Sequence, residues 1–350
     1  MDHQLVTVTL HASSLLKLVL LGAGGFLFSM LLTPLYTTVA YRWKLWKKPR
    51  TTTVTGAAAT VFMKLHAEKH KRHIPTMAGI IFIISVAVLT LVFNRSRAET
   101  WLPVAAFVGA AVVGLIDDII NIRGDGTGKA GLPSQLKLLL ITIVAGIGGW
   151  YFYYKLGFDS MQLPGLHHTA LVLGWFIIPL FAFVVVATAN AVNISDGLDG
   201  LAGGLTTIAF AAYAIIATLE GKYGIAGFCT ALVGALMSYT WFNVFPARFF
   251  MGDIGSFALG TALGVVAMYT DTVLLLPVIG IVFVAEAGSV ILQFTSKKLR
   301  HGKKIFLISP IHHHFEAVGW PEAKVTMRFW VVGEVAALLG LALFVMGRYM

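Results

Sequence analysis

"WLPVAAFVGAAVVGLIDDIIN" (101–121) is an apolar run that ends in two adjacent carboxylates, Asp117 and Asp118. A helix needs about 20 mostly apolar residues to cross the hydrocarbon core of a bilayer, and runs of this kind recur along the chain. The 350 residues are 57% hydrophobic and 12% charged, whereas an average soluble domain has roughly 25% charged residues. The sequence therefore predicts an all-α polytopic membrane protein that forms one integral-membrane domain over 1–350.

Ten transmembrane helices are predicted from the apolar runs, whose ends are often marked by glycine or proline. The first run is longer than the core of a signal peptide and lacks a small-residue cleavage pattern, so it is expected to be a retained helix. The predicted spans lie at about 15–40, 75–93, 101–120, 136–155, 169–190, 201–219, 224–242, 256–270, 273–295 and 328–347.

The basic residues are distributed unequally between the two sides of these spans. Alternate loops place 20 of the 26 Lys and Arg residues on one side. The positive-inside rule makes that side cytoplasmic, so both termini are expected to be periplasmic. A net charge of +10 could by itself suggest a nucleic-acid partner. The placement of the charges favours the bilayer instead, and no nucleic-acid partner is expected.

Carboxylates are also sorted by side. Ionisable groups at membrane depth are expensive and usually functional, and a segregated set suggests one cytoplasmic site. The residues scattered along the opposite loops are Asp2, Glu99, Asp159, Glu220 and Asp271. The aspartates at or next to the predicted cytoplasmic ends are Asp117, Asp118, Asp196, Asp199 and Asp253.

These aspartates have the chemistry of a metal–phosphate site. Neighbouring side chains of a helix point about 100° apart, so Asp117 and Asp118 cannot both face one ion and need a metal or a basic partner nearby. Asp253 lies between two glycines in a tight connection. Mg²⁺ prefers oxygen ligands from a few carboxylates and from substrate phosphates. If Asp117 and Asp118 stood alone, they could simply end a helix among the headgroups.

"NAVNISDGLDGLAGG" (190–204) has polar residues at steps of three, which would form a broad polar wall. Its glycines would allow a ligand or another backbone to approach closely. A solvated turn would explain the glycines, but it would not explain Asp196 and Asp199 without a Lys or Arg in the loop.

"SPIHHHFEAVGW" (309–320) contains three consecutive histidines. At most two of them could bind one metal, because adjacent side chains diverge in a helix and alternate in a strand. Hydrogen bonds to an anion or to a neighbouring carboxylate suit them better, and at least one is expected to be structural. Glu286 shares a helix face with Ser289 and Gln293, which predicts a polar stripe that lines the site.

The basic loop 41–74 has two interpretations. Most of its Lys and Arg residues, including Lys47, are explained by contacts with anionic headgroups. Lys71 is the better candidate for the site, because it lies beside a Pro-fixed turn that carries Thr76.

The motifs "GLIDD", "NAVNISDGLDGLAGG", "FNVFPARFFMGDIGS", "VAEAGSVILQ" and "SPIHHHFEAVGWPEAKVTMRFW" closely resemble those of the bacterial phospho-N-acetylmuramoyl-pentapeptide transferases, in order from about residue 69 to 331. The resemblance implies a Mg²⁺-dependent homodimeric enzyme of the inner membrane, with ten helices and a cytoplasmic active site. Such an enzyme transfers phospho-MurNAc-pentapeptide from UDP-MurNAc-pentapeptide to undecaprenyl phosphate, which gives lipid I and UMP.

The resemblance also implies roles for the matching residues. Asp253 would hold Mg²⁺, while Asp117 would act as a base on the lipid phosphate, with Asp118 beside it. Phe250 would stack on uracil. The other residues implied to bind substrate are Lys71, Thr76, Asn190, Asn193, Asp196, Gly197, Leu198, Asp199, Asn243, Gln293, His312, His313 and His314.

The sequence departs from the family pattern in three segments, one of which is FLISP (306–310) in place of the usual F-R-M-A-P, so that Leu307 replaces an arginine. The usual G-T-P-T-M-G-G turn reads H-I-P-T-M-A-G, with His73, Ile74 and Ala78. The loop after the aspartate pair has Asn121 and Asp125 where more basic residues are expected.

Two alternatives stay open. One is a polyprenyl-phosphate transferase for another UDP-N-acetylhexosamine. The other is an ion-coupled transporter, which would need polar residues at mid-depth in several helices, whereas only Glu286 and Glu334 qualify. Phosphoryl transfer from a diphosphate needs charge neutralisation and in-line positioning, and direct attack by the lipid phosphate is favoured over a covalent aspartyl intermediate.

Overall fold

The computed structural model describes residues 12–47, 73–124, 131–162 and 170–349. Within these ranges the chain is mostly helical, with one two-stranded antiparallel sheet. The predicted all-α class is therefore confirmed.

The elements are numbered here in chain order. The strands are β1 (Ser160–Gln162) and β2 (Ala170–Val172). The helices are α1 (Ala12–Arg42), α2 (Gly79–Phe93), α3 (Trp101–Arg123), α4 (Ser134–Tyr154), α5 (Ile177–Ser195), α6 (Leu201–Leu219), α7 (Tyr223–Asn243), α8 (Gly252–Tyr269), α9 (Leu276–Ile279), α10 (Ile281–Leu299), α11 (Ile311–Ala317) and α12 (Glu322–Tyr349).

Eight helices of the described chain are long and apolar enough to cross a membrane: α1, α3, α4, α5, α6, α7, α8 and α12. Helix α2 is apolar but has only 15 residues. Helix α1 leaves Leu27, Leu31 and Leu35 exposed, as expected where side chains face lipid. The chain is thus a multi-pass membrane protein by length and composition, whereas the count of ten spans and the side of the termini stay predictions.

Two predicted spans differ from the structure. The span at 273–295 is broken into the short helix α9 and the longer α10 at Gly280, whose backbone is not helical (φ −100°, ψ 29°). Pro277 in the first turn of α9 also keeps that helix from continuing from the preceding residues. The span at 169–190 begins too early, since Ala170–Val172 pairs with Ser160–Gln162 as an antiparallel hairpin.

Helix α8 lies at the centre of the bundle, and close contacts with its neighbours fix its position. Nearly every residue of α8 is buried. A side chain at Gly114 of α3 would collide with the backbone of Asp253, and one at Gly260 of α8 would collide with the backbone of Thr188 in α5. Small residues at helix interfaces allow backbones to approach in this way. The first turn of α8 is therefore held directly against α3.

Candidate active site

Three carboxylates and two lysines meet where α3 ends and α8 begins. The Lys137 Nζ atom lies 3.3 Å from Asp117 Oδ2 and 3.2 Å from Asp253 Oδ2. The Lys47 Nζ atom lies 2.8 Å from Asp118 Oδ1 and 3.5 Å from Asp253 Oδ1. As the helical geometry predicts, Asp117 and Asp118 face different partners, and Asp253 lies between them with one ammonium group at each oxygen.

Backbone and amide donors complete the environment of the aspartate pair, which is fully buried. Asp117 Oδ1 accepts a hydrogen bond from the amide of Leu132 at 2.6 Å, and its Oδ2 accepts one from Asn121 Nδ2 at 2.8 Å. Asp118 Oδ2 accepts one from the amide of Ile254 at 3.0 Å. Since Ile254 is in the first turn of α8, this contact uses an amide that points away from the helix, where anions are favoured.

Within the described part of the chain, the cluster has more carboxylates than ammonium groups: three carboxylates face two ammonium groups. Burial disfavours the charge of Lys47, but the carboxylates of Asp253 and Asp118 outweigh it and hold the pKa of Lys47 above its ordinary value. The carboxylates of the cluster therefore favour a cation beside them.

The donor set fits Mg²⁺ in one specific way. No three His, Cys, Asp or Glu side chains among residues 12–47, 73–124, 131–162 and 170–349 are placed to hold one metal ion. Mg²⁺ commonly uses only one or two carboxylates and takes its other ligands from substrate phosphates and water. Asp253, which is partly exposed and touches both lysines, fits that pattern.

Asp196 belongs to the same electrostatic environment. It follows the last residue of α5. Burial raises the pKa of Asp196 to about 7, with Lys47 offsetting part of this effect and Asp253 and Asp118 adding to it. Asp196 is therefore the carboxyl of the turn at 196–200 that changes protonation near neutral pH.

The other polar residues of this turn hold the protein together. Asp199 Oδ2 accepts a hydrogen bond from the amide of Ala247 at 2.9 Å. Asn243 accepts one from the amide of Gly200 at 3.0 Å and donates one to the carbonyl of Phe249 at 2.8 Å. Asp199 and Asn243 thus tie the turn to the segment before α8.

The asparagines of α5 are also engaged within the protein. Asn193 Nδ2 donates to Ser256 Oγ of α8 at 2.8 Å, and Asn190 Nδ2 donates to the carbonyl of Val186 at 2.8 Å. Leu198 is buried in the hydrophobic core. The polar wall predicted from steps of three therefore exists as a set of contacts between α5, α7 and α8, and Asp196 is its member in the electrostatic environment of Lys47.

A buried histidine–carboxylate pair supports this turn. His312 Nδ1 lies 2.8 Å from Glu286 Oε2, and both side chains are buried. A side chain at Gly197 would collide with the His312 ring. Within the described chain, His312 Nε2 and Glu286 Oε1 are buried without a hydrogen-bond partner. The predicted polar stripe is present, since Glu286 and Gln293 are both buried on α10.

The two other histidines point to different places. His313 Nδ1 lies 2.7 Å from Glu316 Oε2, whereas His314 Nδ1 accepts a hydrogen bond from the amide of Leu307 at 3.2 Å. Two histidines therefore contact carboxylates and one holds a loop, in agreement with the expectation from their spacing. Gln293 also holds that loop: it accepts from Ile305 N at 2.9 Å and donates to the carbonyl of Phe306 at 2.8 Å.

The turn that carries Thr76 lies beside the start of α8. Thr76 is buried, and its carbonyl accepts a hydrogen bond from the Tyr36 hydroxyl at 2.6 Å. The amide of Phe250 donates to the carbonyl of Pro75 at 2.8 Å, and the amide of Ala78 donates to the carbonyl of Phe250 at 3.0 Å. Lys71, the other candidate of this loop, lies outside the described residues.

Lys47 and Lys137 are the site residues that the sequence analysis missed. Contacts with headgroups account for Lys47 without a role in the site, and no motif in the sequence marks Lys137 as a site residue. The signal that could have found them is the requirement that buried carboxylates need basic partners, applied to every lysine in the segments that flank α3.

The chain is similar in sequence to known transferases. Residues 100–271 match the family described as glycosyl transferase family 4. The chain is 42% identical over 275 residues to the phospho-N-acetylmuramoyl-pentapeptide-transferase of Clostridium novyi, with 78% of this chain and 84% of that protein covered. It is 39% identical over 329 residues to the enzyme of that name from Geobacillus thermodenitrificans, with coverage of 93% and 97%. The chain therefore belongs to the phospho-N-acetylmuramoyl-pentapeptide-transferase family.

Proposed function

We propose that this protein transfers phospho-MurNAc-pentapeptide from UDP-MurNAc-pentapeptide to undecaprenyl phosphate, and so produces lipid I and UMP in peptidoglycan synthesis. The relatives that carry the name of this transferase match this chain over most of their length. The observation that carries the proposal is the meeting of Asp117, Asp118 and Asp253 with Lys47 and Lys137 where two apolar helices end.

The geometry suits phosphoryl transfer, which depends on charge neutralisation and positioning. Asp253 would hold Mg²⁺, which when bound would neutralise and orient the diphosphate of the donor. The lysine ammonium groups lie within reach of the same place and can pair with phosphate oxygens as point charges.

Asp117 is the proposed base. The amide of Leu132, Asn121 and Lys137 all donate to its oxygens, which fixes the orientation of the carboxylate. A phosphate monoester loses its second proton near pH 6. Asp117 would accept that proton from the lipid phosphate, so that the phosphate oxygen attacks the donor directly.

The lipid acceptor explains why the site lies at the end of membrane helices. A polyprenyl chain keeps its phosphate at the membrane surface, so the carboxylates must reach that surface. We further infer one integral-membrane domain with ten spans and periplasmic termini, a place in the bacterial inner membrane, and a homodimer. The unequal distribution of Lys and Arg supports the orientation.

The donor comparison tests this function. Purified protein is incubated with undecaprenyl phosphate and Mg²⁺, and with either UDP-MurNAc-pentapeptide or UDP-N-acetylglucosamine, while UMP release is measured. We expect UMP with the pentapeptide donor only, and its loss on addition of EDTA. UMP with UDP-N-acetylglucosamine alone would instead indicate the related transferase. No UMP with either donor would contradict transferase activity and favour transport.

A further inference from the structure

Lys47 connects two carboxylates of the site from outside the helices. It follows the end of α1 at Arg42, and its ammonium lies 2.8 Å from Asp118 Oδ1 and 3.5 Å from Asp253 Oδ1. The Asp118 side chain has no exposed surface. A buried carboxylate is strongly destabilising when its counter-ion is removed. Lys47 therefore supplies the positive charge that the buried Asp118 carboxylate requires whenever no other cation is present.

The two lysines of the cluster are attached differently. Lys137 is in the first turns of α4, so its backbone is fixed by a helix. Lys47 lies in a segment without helix or strand, and its side chain is 35% exposed, against 22% for Lys137. A lysine ammonium is a point charge on a flexible four-carbon stem. Of the two, Lys47 has the greater freedom to change partners.

Asp253 has a lysine at each oxygen. Lys47 lies at Oδ1 and Lys137 at Oδ2. A cation that binds Asp253 must therefore approach a positive charge, and like charges at such distances oppose one another. The incoming cation and the lysine compete for the same carboxylate.

We propose that Lys47 is an exchangeable counter-ion of the acidic cluster. It neutralises Asp118 and Asp253 while no divalent cation is bound, releases Asp253 when the cation binds, and then pairs with the diphosphate of the donor. The last step rests on the proposed function, whereas the competition with the cation does not.

Mn²⁺ binding measures the competition without any turnover. The purified full-length protein in detergent is titrated with Mn²⁺, and free Mn²⁺ is followed by electron paramagnetic resonance. Removal of a like charge at this distance should tighten binding about tenfold in Lys47→Met. Lys47→Gln should bind as tightly, because it keeps a donor for Asp118 without the charge. Lys47→Arg should resemble the parent protein.

Lys44→Met is the matched control, because Lys44 also follows α1 and is also exposed, but takes no part in the ion pairs of the cluster. Its Mn²⁺ affinity should not change. If Lys47→Met and Lys47→Gln bind Mn²⁺ as the parent does, or more weakly, the exchange is wrong. Absence of Mn²⁺ binding in every protein would also overturn it.

Two further readouts separate this proposal from the proposed function. In EDTA the Tm of Lys47→Gln should fall below that of the parent, and Mg²⁺ should remove the difference. With UDP-MurNAc-pentapeptide the KM of Lys47→Gln should rise. A parent protein that binds Mn²⁺ but releases no UMP would contradict the transferase function and leave the competition intact. An unchanged KM together with tighter Mn²⁺ binding would overturn the pairing with the diphosphate.

Discussion

The two ends of helix α8 use carboxylates in opposite ways. Asp253 in its first turn shares two lysines with Asp117 and Asp118. Asp271, just beyond its last residue, accepts the amide of Gln162 with both oxygens at 3.0 and 3.1 Å, and so holds the hairpin to the helix. Burial raises the pKa of Asp271, but its hydrogen bonds are made within the protein.

The two ends of α8 also differ in the basic neighbours of their carboxylates. Near the Asp271 end, the single carboxylate Glu220 has two basic neighbours, Lys222 at 2.7 Å and Arg348 at 3.5 Å. Glu99 accepts the amide of Gly224 at the start of α7 at 2.5 Å. Within the described residues, Glu220 has two cations to itself, whereas the three carboxylates at the Asp253 end share two. An acidic residue of this part of the chain is therefore a candidate for chemistry when it shares its cations with other carboxylates, and structural when it has its own cations or accepts from backbone amides.

Asp253→Asn is expected to have the largest effect. It removes the carboxylate that both lysines contact and that would hold Mg²⁺, so turnover should fall by at least about 10³-fold. UMP release measures the loss, and the protein should remain folded in the membrane. The control is Asp271→Asn at the other end of α8, which should keep near-normal turnover. Near-normal activity of Asp253→Asn would remove Asp253 from the metal role.

Lys137→Met should have the next largest effect. It removes a charge that bridges two helices and lies within reach of the phosphates, and loss of one such donor typically lowers kcat by about 10²–10³-fold. Lys155→Met is the matched control at the opposite end of α4 and should leave kcat unchanged. Equal activities of the two variants would show that the two ends of the bundle do not differ in function.

Asp196 predicts a smaller effect that depends on pH. Because its folded pKa is raised to about 7, the folded state holds this proton more tightly than the unfolded state, where the pKa is near 4. Its contribution to stability is therefore greatest below about pH 4 and is lost as the pH rises through 7. Asp196→Asn should flatten the decline of Tm between these values and raise Tm at pH 8 by at least about 2 °C. A parallel decline in both proteins would contradict the assignment.

Glu220→Gln should have the smallest effect. It removes two ion pairs at the Asp271 end, and exposed or partly exposed pairs contribute about 1 kcal/mol or less. The free energy of unfolding should fall by that amount. UMP release should stay unchanged, because Lys222 still donates to the carbonyl of Tyr269 and so keeps the end of α8 in place. A loss of turnover comparable to that of Lys137→Met would erase the distinction between the two ends.

The sequence predicts the helices because a run of about 20 apolar residues is needed to cross a membrane. It predicts the meeting of Asp117, Asp118 and Asp253 because these residues lie at the ends of such runs on the same side. It does not identify Lys47 and Lys137 as their partners, since any of several loop lysines could reach them and the choice depends on how α3, α4 and α8 pack. A short apolar segment is also predicted wrongly from the sequence: residues 170–172 are predicted as part of a span but form a strand.

The sequence also cannot tell a ligand-binding residue from one that holds the fold. Asp199, Asn243 and Gln293 have the expected polar character, yet their observed hydrogen bonds go to backbone groups of neighbouring loops. Their partners lie between 6 and 48 residues away in the chain, so no helical or strand periodicity reveals them. Asp196 differs because burial raises its pKa to about 7 and because the charges of Lys47, Asp253 and Asp118 act on it.

The most direct test is a structure of the protein with Mn²⁺ and UDP-MurNAc-pentapeptide, in which anomalous scattering locates the metal. We expect one Mn²⁺ bound by Asp253 and by the donor diphosphate, with a phosphate oxygen within hydrogen-bond distance of Lys47 or Lys137. A metal bound away from Asp253, or a diphosphate that reaches neither lysine, would contradict it.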